Sequence, residues 1–151
     1  MTLQAKIVAQ KAVWGVLALL LTACAGNPPV QTVASLGTQV EQSIDAVLTA
    51  AQAAQTAGLI SRDQLDRVAI VADKAGRDGQ SLANELTQYD SLKAAGGSTT
   101  AIVASIQGLI ADISSQLGTV GIVVPNGTVQ QIDTAVATAL SIVASVKAGV
   151  L

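Results

Sequence analysis

The sequence predicts an all-α fold, an up-and-down antiparallel bundle of about four helices. Three observations predict it. Apolar residues recur at spacings of three and four through four successive segments, the periodicity of a helix with one buried face. Short stretches of glycine, proline and capping-type residues separate the segments, and short connections make neighbouring helices antiparallel. Half of the residues are hydrophobic but only 1% are aromatic, so alanine, valine, leucine and isoleucine must build the core. A core of that kind needs helices that approach closely through small residues.

The first segment runs from about Pro29 to Gly58. Val33, Leu36, Val40, Ile44, Val47, Ala51 and Ala54 fall on one face, with Gln39, Glu41, Gln42 and Asp45 away from it. Gly58 suits the position just past a helix end. The second begins at Ser61, where Ser61-Arg62-Asp63-Gln64 fits a capping box. Leu65, Val68, Ala72, Ala75, Gly79, Leu82, Leu86 and Tyr89 keep one register across Gly76 and Gly79. That unbroken register predicts one long helix over 61–95, with a kink near Gly76 as the alternative, since each interior glycine costs about 1 kcal/mol relative to alanine. Ala94-Ala95-Gly96-Gly97-Ser98 ends it.

The third segment starts near Thr99 or Thr100, with Val103, Ile106, Ile110, Ile113 and Leu117 as its stripe. Gly118 is expected to stop it. The β-branched, glycine-broken run Thr119 to Pro125 reads as an extended connector packed on the core, with a short strand as the alternative, and Pro125-Asn126-Gly127 as a turn. Thr128-Val129-Gln130-Gln131 matches a second capping box and opens the fourth segment. Ile132, Ala135, Val136, Ala139, Ile142, Val143 and Val146 form its apolar face. Residues 98–151 carry only Asp112, Asp133 and Lys147 as charges, which predicts that this half is covered by its neighbours.

The N-terminus is patterned differently. Lys6 and Lys11 precede an apolar run from Ala12 to Leu21, and no acid occurs before Glu41. The run is too short to span a hydrocarbon core, which needs about 20 residues, and it suits the apolar region of a secretory leader. Leu21-Thr22-Ala23-Cys24 follows, holding the chain's single cysteine, and then Gly26-Asn27-Pro28-Pro29. Two prolines disfavour a helix running from the leader into the domain.

Leu21, Thr22, Ala23 and Cys24 resemble a bacterial lipobox, and the chain resembles the small alanine-rich helical lipoproteins of bacteria and of phages or prophages. The resemblance implies that a signal peptidase recognises Leu21, Thr22 and Ala23, removes residues 1–23, and leaves a lipidated Cys24. Residues 24–30 would form a flexible tether and 31–151 a single helical domain. Lipoproteins of this kind carry two or three acyl chains on the cysteine. One chain holds only marginally, so several imply permanent anchoring to a membrane. Ala25 stands where an inner-membrane lipoprotein of Gram-negative bacteria has aspartate. That implies an outer-membrane location facing the periplasm if the host is Gram-negative.

Composition narrows the function. Beyond the leader the chain keeps six bases and ten acids, with no basic patch to neutralise phosphates, so no nucleic-acid partner is expected. There is no histidine in the sequence. With the one cysteine assigned to the anchor, neither a thiol nucleophile nor a zinc cluster can be assembled. Asp63 and Asp66 share a helix face but are flanked by Arg62 and Arg67, as in a solvated charge cluster. Asp112 and Asp133 are lone acids expected on an exposed rim. Asp73 to Gly79 lacks the ligand spacing of a calcium loop, and no glycine-rich phosphate loop follows a strand. The expectation is therefore no enzyme, no cofactor and no metal site. It favours a lipid-anchored, non-catalytic structural or interaction protein of the envelope, a face for a protein partner or for self-association being the alternative to burial of the charge-poor half. A spanin-like lysis lipoprotein and a helical carrier of apolar ligands are the alternatives.

Overall fold

A computed structural model describes residues 32–151. The targeting residues Leu21, Thr22 and Ala23, the lipidation residue Cys24 and the proposed tether lie outside the described residues. Within 32–151 the chain forms four helices and no strand: α1 (Val33–Thr56), α2 (Arg62–Ala94), α3 (Thr100–Val123) and α4 (Gln130–Val150). They pack in a ring, α1 on α2, α2 on α3, α3 on α4 and α4 on α1, while the diagonal pairs do not meet. This is the up-and-down bundle expected from the stripes.

The turns are written locally. Gly58 adopts φ +71°, and the N–H groups of Gly58 and Leu59 donate to the carbonyls of Gln55 and Ala54, both at 2.9 Å. That Schellman closure satisfies carbonyls left over at the end of α1. Gly96 repeats the device at the end of α2, with φ +68° and Gly97 N–H on the Leu92 carbonyl at 2.9 Å. The capping box at the start of α2 forms as read. Gln64 N–H donates to Ser61 Oγ at 3.2 Å, and Ser61 N–H donates to Gln64 Oε1 at 2.9 Å.

α2 is one continuous helix of 33 residues across Gly76 and Gly79. Its buried line, Val68, Ala72, Ala75, Gly79, Leu82, Leu86 and Tyr89, matches the sequence stripe, with Leu65 half-buried at its start. Gly79 lets α1 come close, because a Cβ there would stand 3.3 Å from Ile44 Cδ1. Gly37 on α1 is tighter still. A Cβ would lie 2.6 Å from the Cα of Ala83 on α2, so the two backbones touch through this glycine.

Three expectations are corrected. α1 begins at Val33, not near Pro29. α3 does not stop at Gly118 but continues to Val123. Val120 and Val124 extend the line of Ile113 and Leu117 and are both fully buried. Burying each is worth about 1.5–3 kcal/mol, which outweighs the few tenths by which β-branched residues disfavour a helix. Gly118 keeps an ordinary helical φ, the positive-φ glycines being Gly58, Gly96 and Gly127. Finally, the Thr128–Gln131 capping box does not form, because the helix starts one residue later with Val129 in the cap position and no side-chain cap. Asp133 instead reaches back, and the Gly127 N–H donates to its Oδ2 at 2.7 Å. The Pro125-Asn126-Gly127 turn stands as expected, closed by Thr128 N–H on the Pro125 carbonyl at 3.0 Å.

The two helix-interior glycines should respond oppositely to alanine. A Cβ at Gly76 would meet nothing within 4 Å. Gly76→Ala should therefore raise stability by up to about 1 kcal/mol in urea unfolding. Gly37→Ala should lower it by about 1–3 kcal/mol, since α1 and α2 must separate to admit the methyl. Equal effects would contradict the close approach.

Candidate functional site

Two surface features could receive a ligand or partner. The larger is an open groove of about 590 Å³ between α3 and α4, where the seam of the ring is thinnest. Ile110, Leu140 and Val143 form its floor, with Ala111, Ser114 and Ala144 along its walls and Lys147 its one charged side chain. Ile110 and Val143 are themselves almost fully covered, so the floor offers little apolar surface. The second is a cleft of about 400 Å³ between α1 and α2, rimmed by Glu41, Asp45, Asp73 and Arg77 and left open by Gly76. Arg77 is held by Asp73 at 2.9 Å, a pairing of exposed side chains one turn apart that contributes only a few tenths of a kcal/mol. Asp63 and Arg67, also four residues apart on α2, form no ion pair among the described residues.

Of the two lone acids expected on an exposed rim, Asp112 is there and Asp133 is not, being drawn back onto the Gly127 N–H. Asp63, Asp66 and Asp112 are exposed, and Asp133 is half-buried in its turn. No group of three or more histidine, cysteine, aspartate or glutamate side chains among the described residues could hold a metal ion. Among the described residues no hydrogen bond joins two carboxylates.

Several α2 side chains have a structural role that the sequence reading missed by assigning them all to a solvated face. Asp90 Oδ2 accepts from the Ala34 N–H at 3.1 Å and so caps the start of α1 from across the bundle. A carboxylate there also complements the positive end of the helix dipole. Toward α3, Glu85 accepts from Ser105 Oγ at 3.0 Å, Asp78 accepts from Gln116 Nε2 at 2.6 Å, and Gln64 Nε2 donates to the Val123 carbonyl at 3.1 Å. These bonds sit at successive heights along the α2–α3 seam. Gln64 serves twice, capping its own helix with one amide atom and the end of α3 with the other.

Among the described residues Gln116 is the one interior side chain whose hydrogen bonding is incomplete. It is 8% exposed, and its Oε1 has no partner. Gln116 lies three residues after Ile113 and four before Val120, so its place on the inner stripe was legible. Ending α3 at Gly118 concealed it by removing Val120 from the pattern. Ser43, the other buried polar residue, closes on the Val40 carbonyl at 2.7 Å.

The expectation that residues 98–151 are covered holds for one side only. Ile102, Ile106, Ile110, Ile113, Leu117 and Val120 on α3 are buried, as are Ile132, Ala139, Val143 and Val146 on α4. The opposite side is exposed and nearly uncharged, made of small residues with Ile122 standing out at 79% exposure. Both helices are long and apolar enough to cross a membrane, a test that a buried core helix also passes.

No protein-family model, curated protein or solved structure matches the chain.

Gln116 provides a test of the seam. Its charge-assisted bond to Asp78 is offset by the buried, unpaired Oε1, each term being about 1–3 kcal/mol. Gln116→Met should therefore leave stability within about 1 kcal/mol of the parent protein. Leu117→Ala, one residue on, should lower it by about 2–5 kcal/mol because its side chain is fully buried. A loss at Gln116 as large as that at Leu117 would show that the amide is fully satisfied.

Proposed function

We propose that the chain is a lipid-anchored, non-catalytic structural or interaction protein of the bacterial envelope. The observation that carries this reading is the order of the N-terminal residues: two lysines, an apolar run of ten, Leu21-Thr22-Ala23-Cys24, then a proline pair. Targeting segments use that order, and a chance arrangement would have to reproduce each part in sequence. In this reading residues 1–23 are removed, and Cys24 carries lipid that fixes the protein to a membrane. Ala25 favours the outer membrane, facing the periplasm, in a Gram-negative host.

The domain supports a binding or scaffolding role more readily than a chemical one. Its acids are used as helix caps and seam bonds or stand exposed, and histidine is absent. Proton transfer at neutral pH lacks its usual agent, and an interaction surface needs none. The α3–α4 groove offers a sizeable apolar ligand little to hold, because of its floor only part of Leu140 is left uncovered. Nine residues lead from Cys24 to Val33, so a lipid on Cys24 would keep the start of α1 within about 30 Å of the bilayer.

Cys24→Ser tests the anchor. The variant should accumulate as uncleaved precursor and lose labelling by a fatty-acid probe, both followed on gels of membrane fractions. Normal processing of the variant, or an unlabelled parent protein, would contradict the reading.

A further inference from the structure

We propose that two copies of this chain pair through the outer side of α3, with Ile122 of each entering the α3–α4 groove of the other. The pairing does not depend on a lipid at Cys24. Ile122 is 79% exposed, the most exposed large apolar side chain among the described residues. Nothing within its own bundle covers it.

Its receptor lies on the same helix. Ile122 and the groove residue Ala111 are eleven residues apart, which is three turns and about 20°, so both stand on one line of α3 about 16 Å apart. A two-fold axis crossing α3 midway between them brings Ile122 of each copy over Ala111 of the other. The contact is then isologous and closes as a dimer. Ser115 and Gly118 flank that axis, both exposed, and a Cβ at Gly118 would meet nothing within 4 Å. Helices can therefore come together there without displacing a side chain. In the partner's groove, Ile122 would fill open space beside Ala111, Ser114, Leu140 and Ala144 and cover what remains exposed of Leu140.

Charge favours this face over those that include α2. Between them α3 and α4 hold only Asp112, Asp133 and Lys147, whereas α2 alone carries eleven charges. Joining α3 faces desolvates few ionised groups. The antiparallel arrangement sets the two Asp112 side chains about nine residues apart along the axis, beyond a Debye length of about 8 Å at physiological salt. The overlap of α3 and α4 with their copies, roughly 20 Å by 20–25 Å on each side, buries on the order of 1,000 Å² in total. That is the lower limit for a specific interface, so the dimer should be weak, half-formed at roughly 10–100 µM.

The test uses the full chain in mild detergent, with mass measured by sedimentation across that concentration range. The parent protein should convert from monomer to dimer on concentration. Ile122→Asp should remain monomeric, at least tenfold weaker in association, with unchanged helix content and, below the dimerising range, a melting temperature within a few degrees of the parent's, because the side chain is already in water and the carboxylate opposes only the end of the α3 dipole. Orientation is read by cross-linking with an added oxidant. Chains carrying Ile122→Cys should join to chains carrying Ala111→Cys, above any background from the parent's Cys24 where that thiol is free of lipid. A parent protein monomeric throughout the range would overturn the proposal, as would an Ile122→Asp variant that still dimerises. So would cross-linking of Ile122→Cys chains only to one another, which marks a parallel pairing.

Discussion

The contact between Gly37 and Ala83 sets the terms for the rest of the bundle. Among the described residues Tyr89 is the only aromatic, so no large ring can bridge a wide gap between helices. The core must be closed by bringing backbones together, and the missing side chain at Gly37 allows α1 to rest on the Cα of Ala83. Gly79 and Ala75 continue the same approach along α2. Once α1 and α2 are that close, Val40, Ile44, Val47, Leu82 and Leu86 have only each other and the facing helices to pack against, and all are almost completely covered. Close packing of small aliphatic side chains compensates for what aromatics would otherwise supply in buried area.

α2 is then the element to which the others are fitted. Its apolar line faces the core, and the polar side chains beside that line reach both neighbours. Asp90 fixes the start of α1, while Glu85, Asp78 and Gln64 fix α3 at three heights. Apolar stripes of valine and isoleucine tolerate sliding by a turn, and hydrogen bonds at defined residues do not. The polar contacts thus set register more than they add stability, since each is partly open to water. α3 and α4 lack comparable bonds to each other, which accords with the thin seam and open groove between them.

Much of this was legible from the residues alone. Helical periodicity located all four helices, and glycines at 58, 96 and 127 marked the turns because each adopts a positive φ. The stripe on α2 was complete because its register runs unbroken through Gly76 and Gly79, the residues at which a kink was the alternative. The end of α3 was misread because a β-branched run next to a glycine looks locally extended. The decisive term is the burial of Val120 and Val124, which depends on partners distant in sequence. The caps supplied across the bundle by Asp90 and Gln64 were hidden for the same reason. A residue that caps another helix looks, in sequence, like any surface charge. The lipobox is the reverse case, a signal written in local order that belongs to processing machinery and leaves no mark on the packing of residues 32–151.

The central claim is that the α1–α2 hairpin, closed at Gly37 and Ala83, is the rigid unit on which α3 and α4 assemble. Native-state hydrogen exchange measures this residue by residue, because amides in the most stable unit exchange only through global unfolding. The account predicts that amides from Val40 to Ala54 and from Val68 to Leu86 share the highest protection, with α4 opening at lower free energy. Higher protection in α3 and α4 than in α1 and α2, or exchange of α1 amides through local opening, would contradict it.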